Sequence, residues 1–397
     1  MVSEISTQML SLCQNASWQS ASKDRGAAMK VALMTFFVGQ NYGALLQAWA
    51  LWQMLSSLGC DVEFVDFHHP WSKMPNWWSW RSYASRSLVG VCRRIKAIQH
   101  HLRLRRQFGK MEKIFPRTTI HYGANPTRLD ASPPIADAYV VGSDQVWRVV
   151  AEAYRFIRPY FLSFGSDAVK RIAYAASLGG CNFDDSLRND ITRLLCQFSA
   201  ISVREEAGAR YLAQLLEQAV DVVPDPTLAL GATCFDKLRM MASHVPDGRD
   251  VYYIMDGMPL DTVNCLRGMV GDKSYNVALQ GFRLSGSHNF IPEVPEFVDV
   301  IAKSKSVVTN SFHACVFSIL YHRPFVYIPF DGSNAPRNER IDQLLSDFGL
   351  RSQRVDVVQA AQIHKQLMNA IDWQYVDTVL ANMHVKAVSW LEKALGI

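Results

Sequence analysis

The side chains in this sequence best suited to chemistry are cationic or titratable groups placed where elements end. His313 stands in TNSFHACVFSILYHRPFV, after the β-branched run Val307–Thr309 and the polar pair Asn310 and Ser311, just ahead of a helix expected over Ala314–Tyr321. Free backbone N–H groups and the dipole at a helix start favour an anion. An imidazole that exchanges a proton near neutral pH therefore sits where a phosphate or carboxylate can bind, behind Ser311 as N-cap. Arg204, Arg337 and Arg340 add guanidinium groups, which grip carboxylate and phosphate in two-pronged fashion. Asp144, next to Ser143, and Asn41, in a turn with Gly39 and Gly43, close strands of the first half. Several guanidinium groups around one histidine suit a small substrate with more than one negative charge. The plainer alternative for each arginine is a surface ion pair, with Arg340 beside Glu339 and Asp342 the obvious case. For His313 it is a half-buried ring behind a capping serine.

Other chemistries lack their residues. There is no GxSxG nucleophile elbow, no Walker A loop and no HExxH pair. The eight cysteines are scattered without CxxC spacing, so no metal is expected and a reducing cytoplasm fits the thiols. With 49% hydrophobic and 19% charged residues the chain is globular rather than disordered. No apolar run reaches the roughly eighteen residues of a membrane span. The net charge of +5 is unevenly placed: ten Lys and Arg stand between Arg81 and Lys113 against one acid, Glu112. Trp71, Trp77, Trp78 and Trp80 precede them. Such a segment suits peripheral contact with an anionic membrane. The alternative is a solvated helix whose apolar face (Leu88, Val91, Ile95, Ile98, Leu102) packs on the domain. No recognition motif accompanies the charge, so no nucleic acid partner is expected.

These side chains need a frame. Residues 1–28 are polar and lack a continuous apolar core, which reads as a flexible N-terminal extension. Lys30–Phe37 is a strand, Ala44–Leu58 an amphipathic helix stopped by Gly59, and Val62–Phe67 the next strand. This βαβ opening carries its glycines on the usual ligand edge of a parallel sheet. It is not GxGxxG, so a dinucleotide is not indicated. Later strands (Ala138–Val141, Ala173–Ser177, Ala200–Val203, Val220–Val223) run into Ser, Asp, Arg or Gly, which gathers polar groups along one edge. The expected organisation is a first Rossmann-like domain over 29–230, including the basic segment 81–113, and a linker over 231–250. A second Rossmann-like domain over 251–373 and a helix over 374–397 packing back towards the first complete it. That is an α/β chain of two domains facing a cleft.

The segments NYGALLQAWAL, GSDQVW, AYAASLG, ISVRE, VPDPTLAL, TNSFHACVFSILYHRPFV and NERIDQLLSDFGL, in this order and spacing, resemble the polysaccharide pyruvyl transferase family from Met29 to about Leu350. The resemblance implies a GT-B-like fold and an enzyme that moves a pyruvyl group from phosphoenolpyruvate onto two sugar hydroxyls. The product is a cyclic ketal on an exopolysaccharide, capsule or cell-wall glycan. Matched to the family's motifs, His313 and Arg204 fall at the donor and Arg340 at a basic position ahead of the R-I-x-x-L-L helix; Ser311 and Arg337 are the further donor-binding candidates.

Ketal formation asks for an acid near the enol methylene, cations on the carboxylate and phosphate, and a base for the sugar hydroxyls. His313 suits phosphate binding and proton donation, and Arg204 with Arg340 the anion clamp. Asp144 suits the base or a ligand of the acceptor hydroxyl, with Ser143, Asn41 and Gly43 shaping the cleft floor. No resident cofactor or metal is required. The acceptor implied is a sugar on a lipid-linked oligosaccharide, met in the cytoplasm or at the inner face of the membrane. Two other readings use the same features. One is a nucleotide-sugar-dependent GT-B glycosyltransferase, which needs room for a base and ribose. The other is a non-catalytic glycan-binding protein held at the membrane by Trp71–Trp80 and the basic helix.

Overall fold

The computed structural model describes residues 28–70, 88–180, 182–243, 245, 247–255, 258–279, 283–356 and 358–397. The N-terminal extension up to residue 27 and the four tryptophans Trp71, Trp77, Trp78 and Trp80 lie outside the described residues. The chain divides into two compact units: one runs to Pro226 and takes in Trp390–Ile397, the other is Thr227–Ser389.

The first unit is built on a six-stranded sheet of β1 (Lys30–Met34), β2 (Asp61–Phe64), β3 (Ala138–Val141), β4 (Lys170–Ala176), β5 (Ala200–Val203) and β6 (Asp221–Val222). All neighbours run parallel, in the order β2-β1-β3-β4-β5-β6. Strands covered on both faces need apolar residues at nearly every position, as KVALM and AYVV supply. The chain winds one way from β1 to β2 and the other way from β3 onward. The carboxyl ends of β1 and β3 therefore flank a topological switch point, where ligands of such sheets bind. Trp147 anchors the core behind this edge: its ring stacks on Phe161 at 5.4 Å and its indole N–H donates to the Tyr160 carbonyl at 3.0 Å.

The second unit has a five-stranded parallel sheet of β7 (Asp250–Tyr253), β8 (Tyr275–Val277), β9 (His288–Phe290), β10 (Ser306–Thr309) and β11 (Phe325–Tyr327). Its order is β11-β10-β7-β8-β9, so the winding reverses between β7 and β10. Tyr252, Leu266, Val308 and Val326 form its core. The edge strand β9 was not expected from sequence; its three residues are too few to show an alternation.

Three expectations need correction. The linker expected over 231–250 contains the helix Ala232–Arg239, whose Phe235 and Leu238 are buried. Arg239 pairs with Asp236 and Asp299, which binds that helix into the second unit. Two apolar side chains in a polar stretch suffice because they fall three residues apart on one helical face. The helix that the stretch RNERIDQLLSDF predicts over 337–348 begins as a 3-10 segment, Gly332–Asn338, and becomes α-helical only over Glu339–Asp347.

The third correction concerns the basic segment. It forms the helix Leu88–Glu112, and of the stripe that the alternative reading packs inward Ile95, Ile98 and Leu102 are 50%, 40% and 57% exposed, while the side chains of Leu88 and Val91 lie outside the described ones. Leu104, Phe108 and Met111 make the buried face instead. The last helix, Trp373–Leu395, ends within the first unit, where Lys170 Nζ donates to the Leu395 carbonyl at 2.7 Å and the Trp390 indole to Asp221 at 2.8 Å. Among the described residues no helix is long and apolar enough to cross a membrane.

Candidate active site

Each unit carries part of the expected residue set at the switch point of its own sheet. In the first unit, β3 ends at Gly142, where a Cβ would meet Leu51 Cδ2 at 2.9 Å and Thr35 Cβ at 3.0 Å. Only glycine lets the strand pass that close to the helix Tyr42–Ser57. Two residues on, Asp144 holds φ at +76°, a left-handed conformation costly for any residue with a side chain. Its backbone carbonyl accepts from Val146 N and Ser177 N, tying the turn to the end of β4. Its Oδ1 accepts from Gln145 N at 2.8 Å.

Arg204 follows β5 and is buried among carboxylates. Its Nε–H donates to Glu205 at 2.7 Å and its Nη1–H to Asp225 at 2.8 Å, with Asp144 Oδ1 at 4.0 Å from Nη2. Burial pulls the Arg204 pKa down, but the charges of Glu205, Asp225 and Asp144 outweigh it and the net shift is upward. Ser143 Oγ donates to the same Asp225 oxygen at 2.9 Å, and Ser177 Oγ to Glu205 at 2.8 Å. On the other side Thr35 Oγ1 donates to the Ser143 carbonyl at 3.1 Å and accepts from Gln47 Nε2 at 2.9 Å. One hydrogen-bonded network thus runs beneath the sheet edge from the first helix to β6, and such buried networks hold their members in one geometry.

This geometry revises three expected roles. Arg204, expected as an anion clamp, is buried with its charge against Glu205, Asp225 and Asp144, and it shares the Asp225 oxygen with Ser143. Asn41 is the N-cap of the first helix, accepting from Gly43 N at 2.9 Å and Ala44 N at 3.4 Å. Gly43 lies buried in that helix rather than in the turn before it. The cap wins because its side-chain oxygen satisfies N–H groups that the first turn leaves without intrahelical partners.

In the second unit, β10 runs into Asn310, which spans the switch point. Its Oδ1 accepts from Met255 N at 2.7 Å and its Nδ2–H donates to the Met255 carbonyl at 3.1 Å, fastening the chain beyond β7 to the end of β10. Ser311 caps the helix Phe312–Leu320 through a 3.5 Å bond from Ala314 N, as expected. His313 sits in the first turn with its ring edge-on to Phe312 at 5.1 Å. The Arg340 guanidinium lies 5.5 Å from the centre of the same Phe312 ring. Phe312 is thus a shared neighbour of His313 and Arg340. Burial pushes the Cys315 thiol far up its scale while the neighbouring Arg340 guanidinium pulls it down. Arg337 lies over Phe330 at 5.5 Å, one turn from Arg340. Asp342, offered from sequence as a surface partner of Arg340, is bonded to Arg354 instead.

Asn338, missed in the sequence, lies between the two arginines in the chain and ties that stretch to β11 and the residues after it. It accepts from the Tyr327 hydroxyl and from Phe330 N, and donates to the Phe330 carbonyl at 2.8 Å. Asn338→Ala leaves two buried donors without their acceptor and is expected to cost about 2 kcal/mol in urea unfolding. It should also raise KM for an anionic donor more than it lowers kcat. A variant as stable as the parent would remove this role from Asn338. Asp225, Glu205 and Gln47 were likewise missed. The only local signals were an aspartate between two prolines and an acid directly after Arg204.

A family model described as polysaccharide pyruvyl transferase matches residues 41–332. No curated protein matches the chain. Among solved structures, a UDP-N-acetylglucosamine 2-epimerase aligns at 12% identity and a TM-score of 0.50, over 93% of this chain and 96% of that one. The UDP-GlcNAc 2-epimerase from Neisseria meningitidis, bound to UDP-GlcNAc, aligns at 11% identity and a TM-score of 0.48, over 92% of this chain and 100% of that one. The first likeness shows the fold alone, which is of the GT-B type.

Proposed function

Since the chain belongs to the polysaccharide pyruvyl transferase family and is a transferase, we propose that it moves the pyruvyl group of phosphoenolpyruvate onto two hydroxyls of one sugar in a glycan precursor. The observation that carries this reading is the grouping of Ser311, His313 and Arg340 around Phe312 at the β7–β10 switch point. A helix start, an imidazole and a guanidinium together suit a compact substrate bearing phosphate and carboxylate.

The steps balance without an external oxidant or reductant. His313 delivers a proton to the enol methylene, which becomes the methyl group, and C2 becomes electrophilic. One sugar hydroxyl attacks C2 and gives up its proton. The C2–O bond to phosphate breaks, and phosphate departs beside Arg340 and Arg337. The second hydroxyl closes the ring and gives up its proton in turn. Of the two protons released, one restores His313 and one leaves with phosphate. Asp144, held in its strained turn by the Arg204 network, is the base assigned to the acceptor hydroxyls. The acceptor assigned is a sugar on a lipid-linked oligosaccharide at the inner face of the membrane.

Calorimetric titration separates this reading from a nucleotide-sugar glycosyltransferase of the same fold. Saturable binding of phosphoenolpyruvate is expected, with weak or no binding of UDP. Tight UDP binding with no phosphoenolpyruvate binding would overturn it. Mass spectrometry of lipid-linked glycans incubated with phosphoenolpyruvate should then show the mass gain of one pyruvyl ketal.

A further inference from the structure

The described side chains of the helix Leu88–Glu112 form two apolar faces, of which one is buried within the protein. Leu104, Phe108 and Met111 are buried, with Phe108 packed on Tyr42 at 4.8 Å. Ile95, Ile98 and Leu102, spaced i, i+3 and i+7, form a second stripe open to solvent. At about 100° per residue the two triads lie on opposite sides of the helix. Exposed Arg103, Arg106 and Lys110 flank the outer stripe on one side and exposed Arg105 on the other. The helix's one acid, Glu112, is engaged within the protein, accepting from Gly39 N at 3.0 Å. Gln40 Nε2 and His101 Nδ1 add a 3.1 Å bond. Gly39 and Gln40 belong to the loop that follows β1 and leads to Asn41, on the sheet's carboxyl edge.

We propose that this helix lies in the plane of an anionic bilayer surface, with Ile95, Ile98 and Leu102 at the acyl-chain boundary and the flanking arginines on lipid phosphates. An apolar stripe bordered by basic residues is what such a surface binds, and the excess of positive charge selects anionic lipid as its complement. Because the helix is bonded to the loop after β1, docking holds that loop, and the Asp144 edge beside it, at the membrane. A lipid-linked acceptor would be met there. The acceptor role rests on the function proposed above; the docking does not, because it is read with neither phosphoenolpyruvate nor glycan present.

The test is flotation of the full-length protein with phosphatidylglycerol-containing vesicles and with pure phosphatidylcholine vesicles. The protein is expected to float with the anionic vesicles only, and less as salt rises. Arg103→Gln with Arg106→Gln should lower the partition coefficient roughly 30-fold, at about one kcal/mol per basic residue near the surface. Leu102→Ser with Ile98→Ser should also lower it, with the unfolding midpoint unchanged because both side chains are exposed. Equal flotation on both vesicle types overturns the proposal, as does equal flotation of parent and variants. A dimer in solution that Leu102→Ser splits would also overturn it, since a second copy would then cover the stripe.

Discussion

His313→Ala is expected to lower kcat/KM for phosphoenolpyruvate between about 10²- and 10⁴-fold, the contribution of a positioned acid or base. The fold should survive. Ser311, not His313, caps the helix, and the bonds of Asn310 to Met255 lie ahead of the substituted position. How the loss divides tells which task the imidazole performs. If it only holds phosphate, KM carries most of the loss, and His313→Gln, which keeps a neutral donor, restores much of it. If it protonates the methylene, kcat falls and glutamine does not restore it. A folded His313→Ala protein within tenfold of parent activity would remove His313 from the reaction.

What the sequence made legible follows from how local each signal is. The strands on the switch points were readable because parallel strands buried on both faces need short continuous apolar runs, and β1, β3 and β10 have them. The polar residues after those runs, Ser143, Asp144, Arg204, Ser311 and His313, were therefore placed on the correct edge. Partners across the sheet were not readable. Arg204 meets Asp225, which arrives just past the strand after its own, and nothing in the spacing of ISVRE and VPDPTLAL says which residues touch. Asp342 was offered as a partner of Arg340, but residues two apart on a helix point in different directions, and Asp342 bonds to Arg354. The basic helix shows the same limit. Its periodicity reveals an amphipathic element, yet two apolar stripes share the sequence and only packing decides which one is buried.

Arg204→Met is expected to destabilise the first unit by about 3–5 kcal/mol near neutral pH, the usual cost of removing one partner from a buried charged cluster. The substitution preserves much of the side-chain volume, so cavity formation contributes little. What is lost is the cation between Glu205, Asp225 and Asp144. Those carboxylates then face one another in a buried site. Acid should recover part of the loss, because protonating a buried carboxyl that has no cation removes the charge that burial penalises. The sign follows directly: in the variant the folded state takes up protons more readily than the unfolded chain, so stability relative to the parent rises as pH falls through the carboxylate range. Arg204→Met with Asp225→Asn removes one opposing charge together with the guanidinium, so its loss should be smaller than that of Arg204→Met alone. Urea unfolding at several pH values measures all of this. An Arg204→Met protein as stable as the parent, with only a raised KM for phosphoenolpyruvate, would give the guanidinium back to the donor, because a side chain that binds substrate is missed in turnover and not in folding.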